Sequence, residues 1–232
     1  MEKKYSFDDL QKIVAVLRSP SGCSWDRAQT HESLCTCMVE EAYEVADAVE
    51  TYSKSGKTED LEEELGDVLL QVVLQCRIAE EKEEFNFSDV VNRVAEKMVF
   101  RHPHVFPGKD GTCIPESEVD WESLKRKEKP AGSLAEEIDR IPHALPALIR
   151  TAKVQKKLER ACPVEHSWRE DTQKAEKKMR GFLEAETEEQ AEEELGEALY
   201  ALTDAARKRG INSEETLKKV LEKRRAGIDK KL

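Results

Sequence analysis

The chain has 232 residues, with 38 Lys and Arg against 49 Asp and Glu for a net charge of -11. That length suits two small domains with cores of their own better than one large one, and the acidic balance argues against a nucleic-acid backbone or an anionic membrane as the main partner. No apolar run approaches the roughly 18 residues of a membrane span. The polar start MEKKYSFDDLQK lacks the apolar core of a signal peptide, so a cytoplasmic protein is expected. Six cysteines (Cys23, Cys35, Cys37, Cys76, Cys113, Cys162) form no CxxC pair and read as reduced thiols.

Residues 6–18 begin with a Ser cap and carry Phe7, Leu10, Ile13, Val14 and Leu17 at helical spacing, which predicts a first helix. A Pro/Gly/Ser turn region follows, polar except for Trp25. A second helix is expected over about residues 30–52, and a third over about 60–81 after the connection SKSGKTED. The second has an apolar stripe of Leu34, Met38, Val45, Ala48, Val49 and Tyr52, with Glu41 in its middle and Glu44 on its edge. The third is apolar round most of its circumference, yet Glu64, Asp67, Gln71 and Gln75 make one polar strip along it.

Carboxylates in such surroundings need a partner. Moving an ionised carboxylate out of water costs several kcal/mol or more, whereas a hard divalent cation compensates a cluster of them. Glu41/Glu44 and Glu64/Asp67 are each spaced i, i+3 and share a helix face, so an antiparallel pair of helices could bring four oxygen ligands to one point. The alternative is an ordinary solvated acidic face.

Ser88 is expected to cap a fourth helix, DVVNRVAEKMVFRH, whose Val90 and Val94 stripe continues into Lys97 and Arg101. Those two cations are candidates for phosphate contacts, with snorkelling from a helix end as the alternative. His102 and His104 flank Pro103 in a turn; they could reach the same site, but ordinary loop packing is the favoured reading. A loop over 107–118, a short helix over 119–129 docking through Trp121 and Leu124, and a domain linker at about 129–133 complete this half.

EEAYE (Glu40–Glu44), nineteen intervening residues and ELGD (Glu64–Asp67) resemble the EExxE…ExxD signature of the MazG nucleoside triphosphate pyrophosphohydrolases. The flanks GCSWDRAQTHESL and EKMVFRHPHVF agree with that family in order, and the likeness covers about residues 7–160. It implies an all-α fold of tandem MazG-like helical bundle modules completed by dimerisation, with a catalytic module over 1–128. It further implies Mg2+, or Mn2+ as a substitute, held by Glu41, Glu44, Glu64 and Asp67, and Trp25, Lys97, Arg101 and His102 as substrate-binding residues. Glu40, with Glu41 the catalytic pair, would orient or deprotonate the attacking water. The expected reaction is hydrolysis of a nucleoside triphosphate to the monophosphate and pyrophosphate, in a homodimer or higher homo-oligomer with a role in nucleotide housecleaning.

Residues 129–232 read as a second, degenerate module. A helix over 142–160 opens it, Trp168 echoes Trp25, and EELGE (Glu193–Glu197) echoes EELGD, but Lys177, Lys178, Met179, Arg180 and Gly181 stand where EExxE is expected. Anions have become cations, which predicts salt bridges to Glu194 and Glu197 in place of a metal cage. Two rival readings remain. A di-iron bundle wants Glu-x-x-His pairs, which this chain lacks; a non-catalytic interaction module would use the acidic strip to bind a basic partner.

Overall fold

The structure, a computed structural model, describes residues 4–108, 111–128, 132–163 and 167–228. Among the described residues there are eleven α-helices and no β-strand, so the expected all-α fold holds. The chain divides into two compact units, Met1–Leu124 and Lys125–Leu232, slightly ahead of the expected join, part of which (129–131) lies outside the described residues.

In the first unit, α1 (Phe7–Leu17) starts from a reciprocal box in which Ser6 accepts from the Asp9 N–H and Asp9 accepts from the Ser6 N–H. A short α2 (Ser24–Ala28) carries Trp25. Helix α3 (Ser33–Ser55) ends on Gly56, whose φ of 73° suits glycine at a helix C-terminus. It pairs with α4 (Glu59–Glu81), and α4 packs in turn on α1 and on α5 (Phe87–Arg101). The cap of α5 is Asn86 and not the expected Ser88: Asn86 accepts from the Asp89 N–H while the Asp89 carboxylate accepts from the Asn86 N–H, which leaves Ser88 inside the first turn.

Val14, Leu34, Val73, Leu74 and Ile78 form the core, with Phe7, Leu10, Leu70 and Phe87 packed against it. The Phe7 and Phe87 rings lie 4.6 Å apart. This core uses the C-terminal half of α4. At the other end of the helix pair, residues expected to be covered are exposed: Val49 and Tyr52 on α3, and Leu65 (52 %) and Leu69 (38 %) on α4. An apolar stripe reports that a face wants covering, and among the described residues of the first unit nothing covers that end.

A 3-10 turn (Glu116–Glu118) leads to α6 (Trp121–Glu128), where the units divide. Trp121 packs edge-on against His102, ring centroids 4.7 Å apart, and against His104.

The second unit is helical as well. A short α7 (Leu134–Asp139), not anticipated from the sequence, precedes α8 (Ala147–Ala161), which begins five residues later than Pro142 suggested because Pro146 takes its N-cap. Then α9 (Trp168–Glu184), α10 (Glu188–Lys208) and α11 (Ser213–Ile228) follow, with α9 packed along α10 and α10 touching α8 and α11. The core here is built of small residues, Ala175, Ala198, Ala201 and Ala205, which lets α9 and α10 approach closely. All six cysteines are free thiols.

Candidate metal centre

Glu41 on α3 and Glu64 and Asp67 on α4 each turn one carboxylate oxygen toward a common point, and those oxygens all lie within 4.8 Å of one another. The i, i+3 spacing of Glu64 and Asp67 puts both on the face of α4 that meets α3. All three are half-buried. Glu44, the fourth expected ligand, is exposed and outside that close group, yet its carboxylate comes within hydrogen-bonding reach of Glu41 and repels both Glu41 and Glu64. Glu40 is exposed on the neighbouring flank of α3.

The electrostatics record the crowding. Removal from water, then the charges of Asp67 and Glu44, push the Glu41 carboxyl above its ordinary range. Glu64 is raised by the same loss of water and by Glu44 and Asp67. Beside them Gln71, one turn beyond Asp67, acts weakly against the rise at Glu41, and its Oε1 is buried without a hydrogen-bond partner. Hard oxygen donors converging from two helices, held against their own repulsion, form a donor set suited to a hard divalent cation.

A testable pH dependence follows. Groups whose folded pKa is raised contribute stability below the unfolded carboxylate value, and that contribution is lost as pH rises through the folded value. In thermal melts of the metal-free chain from about pH 5 to pH 7, Glu41→Gln is expected to gain on the wild type as pH rises. Millimolar Mg2+ is expected to stabilise the wild type increasingly over the same interval, because the cation takes the place of the proton. A difference between the two proteins that does not vary with pH would contradict the crowding.

The domain description MazG nucleotide pyrophosphohydrolase matches residues 29–106, a span from just before α3 to just past α5 that contains every carboxylate of the cluster. A protein of Thermotoga maritima named nucleoside triphosphate pyrophosphohydrolase/pyrophosphatase MazG is 37% identical over 221 residues, covering 94% of this chain and 82% of that protein. The chain belongs to the MazG family. The Escherichia coli K12 protein named nucleoside triphosphate pyrophosphohydrolase is 35% identical over 225 residues, 93% of this chain and 83% of its own length. The Bacillus subtilis protein YabN is 44% identical over 154 residues, which is 66% of this chain and 30% of YabN.

Within this MazG chain, the expected substrate-binding residues stand on other elements than the carboxylates. Trp25 is on α2 and 61% exposed. Lys97 and Arg101 are half-buried on the last turns of α5. His102 closes that helix, its Nδ1 2.5 Å from the Met98 carbonyl, which assigns the proton to that nitrogen. Two interactions went unread in the sequence. Gln75 of the polar strip pairs with His31, through Nδ1 and through the His31 carbonyl. Arg18, buried at the end of α1, forks onto Glu81 and also holds the Asp26 and Gln29 carbonyls of the α2 segment.

In the second unit one ion pair comes from the lysine-rich stretch expected to supply it, and a second comes from a lysine ahead of that stretch. Lys178 meets Glu194 at 3.1 Å and Lys174 meets Glu197 at 3.7 Å. Gly181 makes room for this arrangement, since a Cβ there would lie 2.6 Å from the Glu194 carboxylate.

Proposed function

We propose that this chain hydrolyses nucleoside triphosphates to nucleoside monophosphate and pyrophosphate, with Mg2+ held by Glu41, Glu64 and Asp67 and with Glu44 completing the set from the rim. The observation that carries this reading is the meeting of three carboxylates from two helices within 4.8 Å. A strip made to bind a basic protein would spread its charges outward. A bound Mg2+, for which Mn2+ can substitute, neutralises charge on the triphosphate and on the departing pyrophosphate and acidifies a bound water.

The chain's own groups do the remainder. Glu40 accepts a proton from the attacking water or holds it in line. Lys97 and Arg101 receive phosphate oxygens, Arg101 through a two-pronged guanidinium, and His102 approaches the same oxygens. Trp25, exposed on its short helix, offers a wall for the base. A second copy covers the exposed Val49, Tyr52, Leu65 and Leu69, since this apolar end beside the carboxylates is the natural face for a homodimer. The second unit is a degenerate module in which lysines compensate Glu194 and Glu197, so that it supports the fold without metal. The enzyme works in the cytoplasm on canonical, deoxy or damaged nucleotides.

The test is release of pyrophosphate by the full-length chain from a panel of canonical, deoxy and oxidised triphosphates in Mg2+ and after chelation. Pyrophosphate that disappears with chelator, and is unaffected by Glu194→Gln in the second unit, is the expected result. Release of orthophosphate alone, or turnover indifferent to chelator, would reject the reaction.

A further inference from the structure

Trp121 opens α6, and the Asp120 carboxylate, which accepts from the Ser123 N–H at 3.1 Å, caps that helix and so sets where the indole stands. The stretch before it is tied back to the turn of residues 102–104 by the Ile114 N–H, which donates to the Pro103 carbonyl at 3.1 Å. At 38% exposure Trp121 is no core residue. The rings it meets are those of two histidines: His102 at 4.7 Å between centroids and 79° between planes, and His104 at 6.0 Å and 73°. His104, whose Nδ1 is buried without a hydrogen-bond partner, lies 5.7 Å from His102 and completes a cluster of three rings.

Edge-to-face contact is an arrangement that ring quadrupoles favour, and it matters here for what it leaves over on His102. Its Nδ1 faces the Met98 carbonyl. A carbonyl only accepts, so Nδ1 carries the hydrogen and Nε2 is the nitrogen left for a ligand. One hydrogen bond fixes a point on the imidazole and leaves its tilt free. The indole, set nearly perpendicular to that ring, fixes the tilt.

We propose that Trp121 is a positioning residue for substrate binding: by holding the His102 ring against the Met98 carbonyl it aims Nε2 at the bound nucleotide. This rests on the reading of His102 as a substrate contact. A misplacement of about 1 Å in a group that holds substrate costs up to about a hundredfold. Loss of a contact already made in the ground state raises KM and leaves kcat as it was.

Two measurements on the full-length chain test this. One is the 15N shifts of the His102 ring without substrate, assigned by their loss in His102→Ala; the other is KM and kcat for pyrophosphate release from the triphosphate that the wild type turns over fastest. The wild type is expected to show His102 as the single Nδ1–H tautomer. Trp121→Leu is expected to move those shifts toward the average of the two tautomers and to raise KM about tenfold with kcat unchanged. Trp121→Phe, which keeps a ring in place, is expected to recover most of both. Trp121→Leu added to His102→Ala is expected to raise KM no further, because the indole acts through that imidazole. If Trp121→Leu does not fold, Trp121→Met carries the same expectation. Unchanged ring shifts with wild-type KM in the apolar variants would overturn the proposal, even if the melting temperature falls. Wild-type KM in His102→Ala overturns the substrate reading of His102, whereas a raised KM there with wild-type KM in Trp121→Leu overturns only the role of Trp121.

Discussion

Glu41→Gln is expected to lower pyrophosphate release by at least about a hundredfold while leaving the helical content intact, because one member of the proposed metal-holding set is lost where even outer partners matter tenfold or more. Glutamine has nearly the same shape and keeps one carbonyl oxygen, so the change removes charge with little disturbance of packing. Glu41 is the carboxylate that α3 contributes to a group whose other members both come from α4, and without it the site becomes a single-helix pair with weak hold on a cation. The same substitution relieves repulsion from Asp67 and Glu44, so the metal-free variant is expected to melt higher than the wild type even as it loses turnover. Opposite signs for stability and activity mark a functional cluster. Glu44→Gln is expected to cost less, since Glu44 stands outside the close group and is exposed. Undiminished pyrophosphate release from Glu41→Gln, measured at saturating Mg2+ and again at limiting Mg2+, would remove this residue from the centre.

The carboxylate centre was legible in the sequence because its signal is contradictory: Glu41 in an apolar stripe and Glu64 with Asp67 on a mostly apolar helix require compensation that the neighbouring residues do not supply. The charge reversal at Lys178 was legible for the same reason, and its pair with Glu194 follows. What periodicity could not tell was where covering comes from. Val49 and Tyr52 belong to the stripe of α3, yet they are exposed in this chain, because a pattern states that a face is apolar and not which chain covers it. The polar strip of α4 was visible as a strip, but its division was not: Gln75 pairs with His31, whereas one turn earlier the Gln71 Oε1 is buried without a partner. The start of α5 went to Ser88 although Asn86 and Asp89 spell a cap and its reciprocal partner; two good capping residues in adjacent turns compete, and the box decides. Helix α7 escaped notice because six residues carry too little periodicity, even though Ser133 caps Glu136.

Arg18→Met is expected to destabilise the first unit by about 1.5–3 kcal/mol, the range of hydrogen bonds from a charged group, because the Glu81 left behind is partly solvated and keeps a second arginine. At the end of a helix an arginine reads as a residue that reaches for solvent, but only 5% of this side chain is exposed. Its Nε and Nη2 meet Glu81 at 3.1 and 2.8 Å, and its Nη1 meets the Asp26 and Gln29 carbonyls at 2.5 and 3.2 Å. One guanidinium therefore ties the end of α1 to the end of α4 and to the segment that carries Trp25. Methionine fills much of the volume and supplies none of the donors. Glu81 keeps Arg77, whose Nε lies 3.0 Å away, so the carboxylate is not fully abandoned, but both carbonyls lose their Arg18 donor. Arg18→Lys is expected to fall between, because an ammonium cannot fork to a carboxylate and two carbonyls at once. The pair also fixes a pH signature. Hydrogen bonds from Arg18, aided by its charge and by Arg77, hold the Glu81 carboxyl below its ordinary range, so its contribution is present above the unfolded carboxylate value and is lost as pH falls through the folded one. Urea unfolding at about pH 7 and pH 4 measures both effects: the gap between wild type and Arg18→Met narrows at the lower pH. A cost below about 1 kcal/mol, in the range of exposed pairs, would mean that this cluster is solvated and that the Trp25 segment is held by something else.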